Sequence, residues 1–188
     1  MRRWRSRALR ARSSRGTRAR SRPGSVSWAE RSSEIARDVW VLHGPNLGLL
    51  GRREPNLYGK ETLASIDQRL LALGEALDLR VSSFQTNHEG ALVDRLTVAM
   101  DEVDGCLLNP AALSHGSLAL ADALRSMTIP VVEVHMTNLY ARERERQFSL
   151  TGSAATGVIM GFGPASYELG LHALAAMIAP ARGRRKRT

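Results

Sequence analysis

From Asp38 onward, short apolar runs alternate with segments of helical period, the pattern of a parallel sheet covered by helices. The runs predict strands at Asp38 to His43, Leu79 to Gln85, Gly105 to Asn109, Pro130 to His135 and Ala155 to Gly161. Between the first two, Leu63, Ile66, Leu70, Leu73 and Leu77 step by three and four residues and fall on one helix face, with Thr62 placed to cap it. Tyr167, Leu171, Leu174 and Ile178 give a last helix a similar stripe. Right-handed crossovers then yield an α/β fold, a doubly wound five-stranded parallel sheet of order 2-1-3-4-5 with helices on both faces. The sequence carries no internal repeat and no sign of a second folded domain.

Charge divides the chain into three parts. Met1 to Asp38 holds twelve arginines against Glu30, Glu34 and Asp38, and Ala181 to Thr188 holds five basic residues and no acid. Val39 to Pro180, with ten basic and fifteen acidic residues, is left at −5 although the whole chain stands at +9. The basic character therefore belongs to the ends. We expect residues 1–37 to be a basic, disordered extension or the product of an upstream start, ahead of a folded body at 38–180 and a basic tail at 181–188. An Arg- and Ser-rich segment without early acids also has the form of a transit peptide, so that alternative stays open. Nucleic acid is not the expected partner, beyond weak polyanion binding by the tails through counterion release.

The single cysteine, Cys106, sits in an apolar strand, which points to a structural thiol and a reducing, cytoplasmic setting. No apolar run approaches the roughly 18 residues of a membrane span.

Polar groups gather where the strands end. After the first strand comes His43-Gly-Pro-Asn46, after the second Thr86-Asn87-His88, after the third Asn109-Pro110 and then Ser114-His115, after the fourth His135-Met136-Thr137-Asn138. Open α/β sheets bind ligands at this carboxyl rim, so four of the five histidines are expected to share one polar site. The loop from Gly44 to Gly59 adds Arg52, Arg53, Glu54 and Tyr58. Tyrosine has an ordinary pKa of about 10, so using it as a base near neutrality costs about 4 kcal/mol, which neighbouring cations can supply. Taken alone, the same loop is equally consistent with a solvated basic turn.

Several chemistries are disfavoured. Gly161-Phe-Gly163-Pro-Ala-Ser166 lies at a strand-to-helix junction but lacks the third glycine and the later acid of a dinucleotide fingerprint, so its glycines read as turn and packing residues. There is no phosphate-cradling Walker pattern, no Gly-x-Ser-x-Gly elbow, and neither HExxH nor paired CxxC for a metal. Glu133 and His135, two apart in a strand, share a face, so Glu133 either orients the imidazole or is satisfied separately. Acid/base chemistry by Tyr, Arg and His remains.

Five segments, GPNLGLLGRREPNLYG, NHEGALVDRL, LNPAALSHGS with ALADAL, VVEVHMTNLYARE and ATGVIMGFGPASYELGLHAL, resemble the type II 3-dehydroquinate dehydratases in order and spacing over Val41 to Leu174. The resemblance implies a flavodoxin-like subunit, a dodecamer of four trimers, no cofactor and no metal, and dehydration of 3-dehydroquinate to 3-dehydroshikimate in the shikimate or quinate pathway. By motif position it implies Tyr58 as base, Arg53 on a lid and Arg142 favouring the phenolate, Asn46 stabilising the enolate through water, and His135 as acid oriented by Glu133. It further implies that the amides of Met136 and Thr137 and the Thr137 hydroxyl hold a carboxylate. Asn109, His115 and Arg146 would hold ring hydroxyls, and Asp122 would reach a neighbouring subunit's site.

Departures from the family pattern are His43 for Asn, Thr137 for Ser, Tyr140 for His, Glu145 for an apolar aromatic, and Gln147-Phe-Ser-Leu150 for His-His-Ser-Tyr. They are expected to bear on lid packing, oligomer contacts or substrate preference. Two alternatives accompany this reading: a dehydratase of an amino analogue in secondary metabolism, and an idle flavodoxin-like binding subunit.

Overall fold

The computed structural model describes residues 36–52 and 61–178. Five strands, β1 (Arg37–His43), β2 (Leu79–Gln85), β3 (Gly105–Asn109), β4 (Val131–His135) and β5 (Gly157–Met160), form one parallel sheet of order β2-β1-β3-β4-β5. The predicted order holds, and β2 and β3 have the predicted bounds. Helices α1 (Leu63–Ala76), α2 (Glu89–Glu102), α3 (Leu118–Arg125) and α4 (Ala165–Met177) connect and follow the strands.

Strand alternation sorts the core into two layers. Val39 and Val41 face Ile66 and Leu70 of α1 and Tyr167, Leu171 and Leu174 of α4. Leu42, Cys106 and Leu108 face Leu92 and Leu96 of α2 and Leu120 and Leu124 of α3. Thr62 caps α1 as expected, its Oγ1 accepting the Ser65 N–H at 3.1 Å. Cys106 is fully buried, and burial pushes its thiol up to about 12, which fits a packing role.

The bounds of three strands shift from the sequence reading. β1 begins at Arg37, whose guanidinium donates to the carbonyls of Leu77 (2.9 Å) and Ile178 (3.1 Å). Pro130 stands outside β4 because it has no N–H, and Val131 is the first residue to donate, to Thr156 Oγ1 at 3.0 Å. β5 is shorter than Ala155 to Gly161. Residues 151–154 form a turn, and Gly161 adopts φ +97°, which ends the extended conformation. No helix among the described residues is long and apolar enough to cross a membrane.

Candidate active site

The ends of β1, β3 and β4 meet around one cleft. At the close of β1, Gly44 donates its N–H to Asn109 O at 2.8 Å, an approach so tight that a Cβ on Gly44 would lie 2.5 Å from Pro110 O. Asn46 follows at φ +66°, a left-handed conformation that asparagine tolerates, with its N–H held by Asn87 Oδ1 at 2.9 Å. Leu47 and Leu50 then provide an apolar wall. From β3 come Asn109 and, one 3₁₀ turn later, His115, whose Nδ1–H donates to Phe148 O at 2.9 Å.

β4 supplies the group best suited to proton transfer. His135 Nε2–H donates to Glu133 Oε1 at 2.7 Å, with both residues buried on the same face of the strand as their two-residue spacing predicts. The same carboxylate oxygen accepts from Ser149 Oγ at 2.6 Å, and Ser149 Oγ in turn accepts the Gly152 N–H at 2.9 Å. Glu133 thereby fixes the imidazole and leaves Nδ1 as its other nitrogen.

Beyond β4, Thr137 Oγ1 lies 3.4 Å from an Arg142 nitrogen. Glu143 binds Arg142 at 3.0 Å and Arg146 at 2.7 Å, so one carboxylate clamps both arginines that line the cleft. Hydrogen bonding from Arg142, with Arg146 close by, holds the Glu143 carboxyl down at about 2. The result is a cationic cleft with an apolar wall, suited to a small hydroxylated anion.

Of the residues singled out from sequence, Asn46, Asn109, His115, His135, Met136, Thr137, Arg142 and Arg146 line this one cleft, with Glu133 directly behind His135. Arg53 and Tyr58 lie outside the described residues. Asp122 does not line the cleft of its own chain; it is exposed on α3 and paired with Arg125 at 2.6 Å. No group of three or more His, Cys, Asp or Glu among the described residues is arranged to hold a metal ion.

A family model, dehydroquinase class II, matches residues 37–175. The chain belongs to the class II dehydroquinases. It is 50% identical over 149 residues to the 3-dehydroquinate dehydratase of Desulforudis audaxviator, covering 79% of this chain and 98% of that protein. It is also 50% identical over 136 residues to the 3-dehydroquinate dehydratase of Acaryochloris marina, covering 72% and 91%. A crystal structure of the type II dehydroquinase from Propionibacterium acnes superposes with a TM-score of 0.73 at 42% identity, over 77% of this chain and 99% of that one.

The dehydroquinase site corrects the expectation of four histidines on one rim. Only His115 and His135 line the cleft. His43 is fully buried between sheet and helices, bonded to Tyr167 and Asp67, because the alternation of β1 turns it toward the α1/α4 layer. His88 is exposed at the start of α2. Tyr140 and Glu145 are exposed in the single chain and neither lines the cleft, while Glu143 is the acid that holds the two arginines. Glu143 and Ser149 are the functional residues that sequence reasoning missed. The alternation of acid and base from Arg142 to Arg146 hints at the first, while no local pattern announces a serine that bonds a carboxylate sixteen residues earlier.

Proposed function

We propose that this dehydroquinase removes water from 3-dehydroquinate to give 3-dehydroshikimate, in the shikimate or quinate pathway. Its clearest structural support is the buried Glu133–His135 pair opening onto a cleft lined by Arg142 and Arg146. An imidazole fixed through one nitrogen by a carboxylate is a positioned proton donor, and two cations favour an anionic substrate.

In this reading Tyr58 takes the proton beside the ketone, Arg53 and Arg142 favouring its phenolate. Charge develops on the ketone oxygen as the enolate forms, and Asn46, through water, stabilises it. The enolate then expels the hydroxyl, which His135 protonates so that it leaves as water while the carbon–carbon double bond forms. Met136 and Thr137 hold the carboxylate, Asn109, His115 and Arg146 hold ring hydroxyls, and Asp122 serves a neighbouring subunit's site in a dodecamer of trimers. Proton transfers alone complete the cycle, and no cofactor or metal is assigned a role. The assigned compartment is the cytoplasm.

The test is ultraviolet absorbance of protein mixed with 3-dehydroquinate, following the conjugated enone. Growth of the band with wild-type protein, and a rate about 10²–10⁴ lower in Tyr58→Phe, is the expected result. A wild-type rate in that variant would reject the assigned base, and a flat wild-type trace would reject the substrate.

A further inference from the structure

Behind the cleft floor, five hydrogen bonds join six groups into a single chain. The Ala111 N–H lies 3.1 Å from Asn109 Oδ1, Asn109 Nδ2 lies 2.9 Å from the Tyr167 hydroxyl, and that hydroxyl lies 3.0 Å from His43 Nδ1. His43 Nε2 then lies 3.0 Å from Asp67 Oδ1, which also accepts from Ser83 Oγ at 2.8 Å. His43 and Tyr167 are fully buried and Asn109 is 3% exposed, while Asp67, about a quarter exposed, opens the far end toward solvent.

Every bond in this chain has one permitted direction. A backbone N–H only donates, so Asn109 presents its oxygen to Ala111 and its nitrogen to Tyr167. An amide NH₂ only donates, so the Tyr167 oxygen accepts and its hydrogen goes to His43 Nδ1. Bare Nδ1 leaves the imidazole proton on Nε2, where the Asp67 carboxylate and no other partner receives it. Burial, which raises the Tyr167 pKa well above its ordinary value, keeps the phenol protonated as this order requires. Reversing any one member would leave a buried donor facing a donor, at the cost of an unmade hydrogen bond.

We propose that His43 and Tyr167 are positioning residues that lock the Asn109 amide in one orientation, so that the cleft meets one fixed amide N–H and one fixed oxygen lone pair. This rests on the reading of Asn109 as a contact to a substrate ring hydroxyl. A hydroxyl that both donates and accepts is recognised by such a pair, whereas an amide free to rotate offers two arrangements and recognises it less well. The linkage also gives the buried His43 a use, since it lies outside the cleft.

The experiment combines kinetics on 3-dehydroquinate and its monodeoxy analogues with ¹⁵N spectra of histidine-labelled protein. Tyr167→Phe keeps the ring and removes the hydroxyl, and His43→Leu removes the acceptor. His43→Asn puts an amide oxygen close to the position of Nδ1 and so retains an acceptor for Tyr167 while losing Asp67. Tyr167→Phe and His43→Leu are expected to raise KM about tenfold with kcat within about twofold, and to lose discrimination against one deoxy analogue. His43→Asn is expected to restore both, a recovery that general loosening of the core would not produce. The wild-type spectrum should show His43 with bare Nδ1 and protonated Nε2.

Unchanged KM in the first two variants, equal damage in His43→Asn and His43→Leu, or a His43 proton on Nδ1 would each overturn the proposal. Absence of wild-type turnover would instead overturn the functional reading and the substrate contact of Asn109 with it. The ¹⁵N tautomer would then still report whether the relay runs in this direction.

Discussion

Ser149 decides how well His135 is held. Its hydroxyl is the second donor on Glu133 Oε1, and Glu133 Oε2 has no hydrogen-bond partner among the described residues. A buried carboxylate with two donors on one oxygen and none on the other depends strongly on each donor. We therefore expect Ser149→Ala to lower kcat about tenfold with KM nearly unchanged, and to reduce stability by about 1–3 kcal/mol. Steady-state kinetics together with urea unfolding would check this, and unaltered kcat in the folded variant would show that His135 needs no support from Ser149. The Glu133–His135 relation was legible from sequence because strand periodicity is local. The contribution of Ser149 was not, because it depends on how the segment after Arg146 returns to the sheet.

At the scale of elements, two helical glycines make opposite predictions. Gly170 of α4 packs so closely on the sheet that a Cβ would stand 2.6 Å from both Leu107 Cδ1 and Val134 Cγ1. Helix propensity favours alanine by about 1 kcal/mol, but the valine side chain is stiff and the layer is fully packed. Gly170→Ala is accordingly expected to destabilise the fold by about 1–3 kcal/mol. Gly90 of α2 has nothing within 4 Å of its would-be Cβ, and Gly90→Ala is expected to stabilise by about 0.5 kcal/mol. Denaturant midpoints would separate the two, and equal shifts of the same sign would mean that packing at α4 does not control the helix. The junction ahead of α4 works in the same manner. Gly161 and Gly163, at φ +97° and +59°, let the turn donate N–H groups to His135 O at 3.2 Å and Met136 O at 2.9 Å, so these glycines tie β5 and α4 to the end of β4.

For the whole molecule, charge and fold separate near Arg37. Residues 1–35 and 181–188 carry sixteen of the 27 lysines and arginines and two of the eighteen acids. Removing both is expected to leave turnover within about twofold and to abolish salt-sensitive retention on heparin, since that affinity comes from counterion release. A cut after Asp38 is a different experiment, because it removes Arg37 from the Leu77 and Ile178 carbonyls and Asp38 from Arg80. Its melting temperature should fall below that of the shorter truncation, and equal melting temperatures would show that the first two residues of β1 contribute nothing to stability.

The sequence by itself determined the strands, their order, the helix stripes and the gathering of polar groups at the strand ends. Those features follow from periodicity and turn chemistry, which act over a few residues. The strand ends also marked six of the cleft residues, Asn46, Asn109, His115, His135, Met136 and Thr137, and the family resemblance added Arg142 and Arg146. Only the tertiary structure decided which polar residues face the cleft and which lie behind it. His43 and His135 each close a strand of the same sheet, yet one is turned inward to Tyr167 and Asp67 while the other opens on the cleft. The distinction rests on strand alternation combined with the helix packed on each face, and on contacts such as Ser149 to Glu133 that link residues far apart in the chain. Long-range contacts of that kind depend on the closed fold, and no local pattern of residue types encodes them.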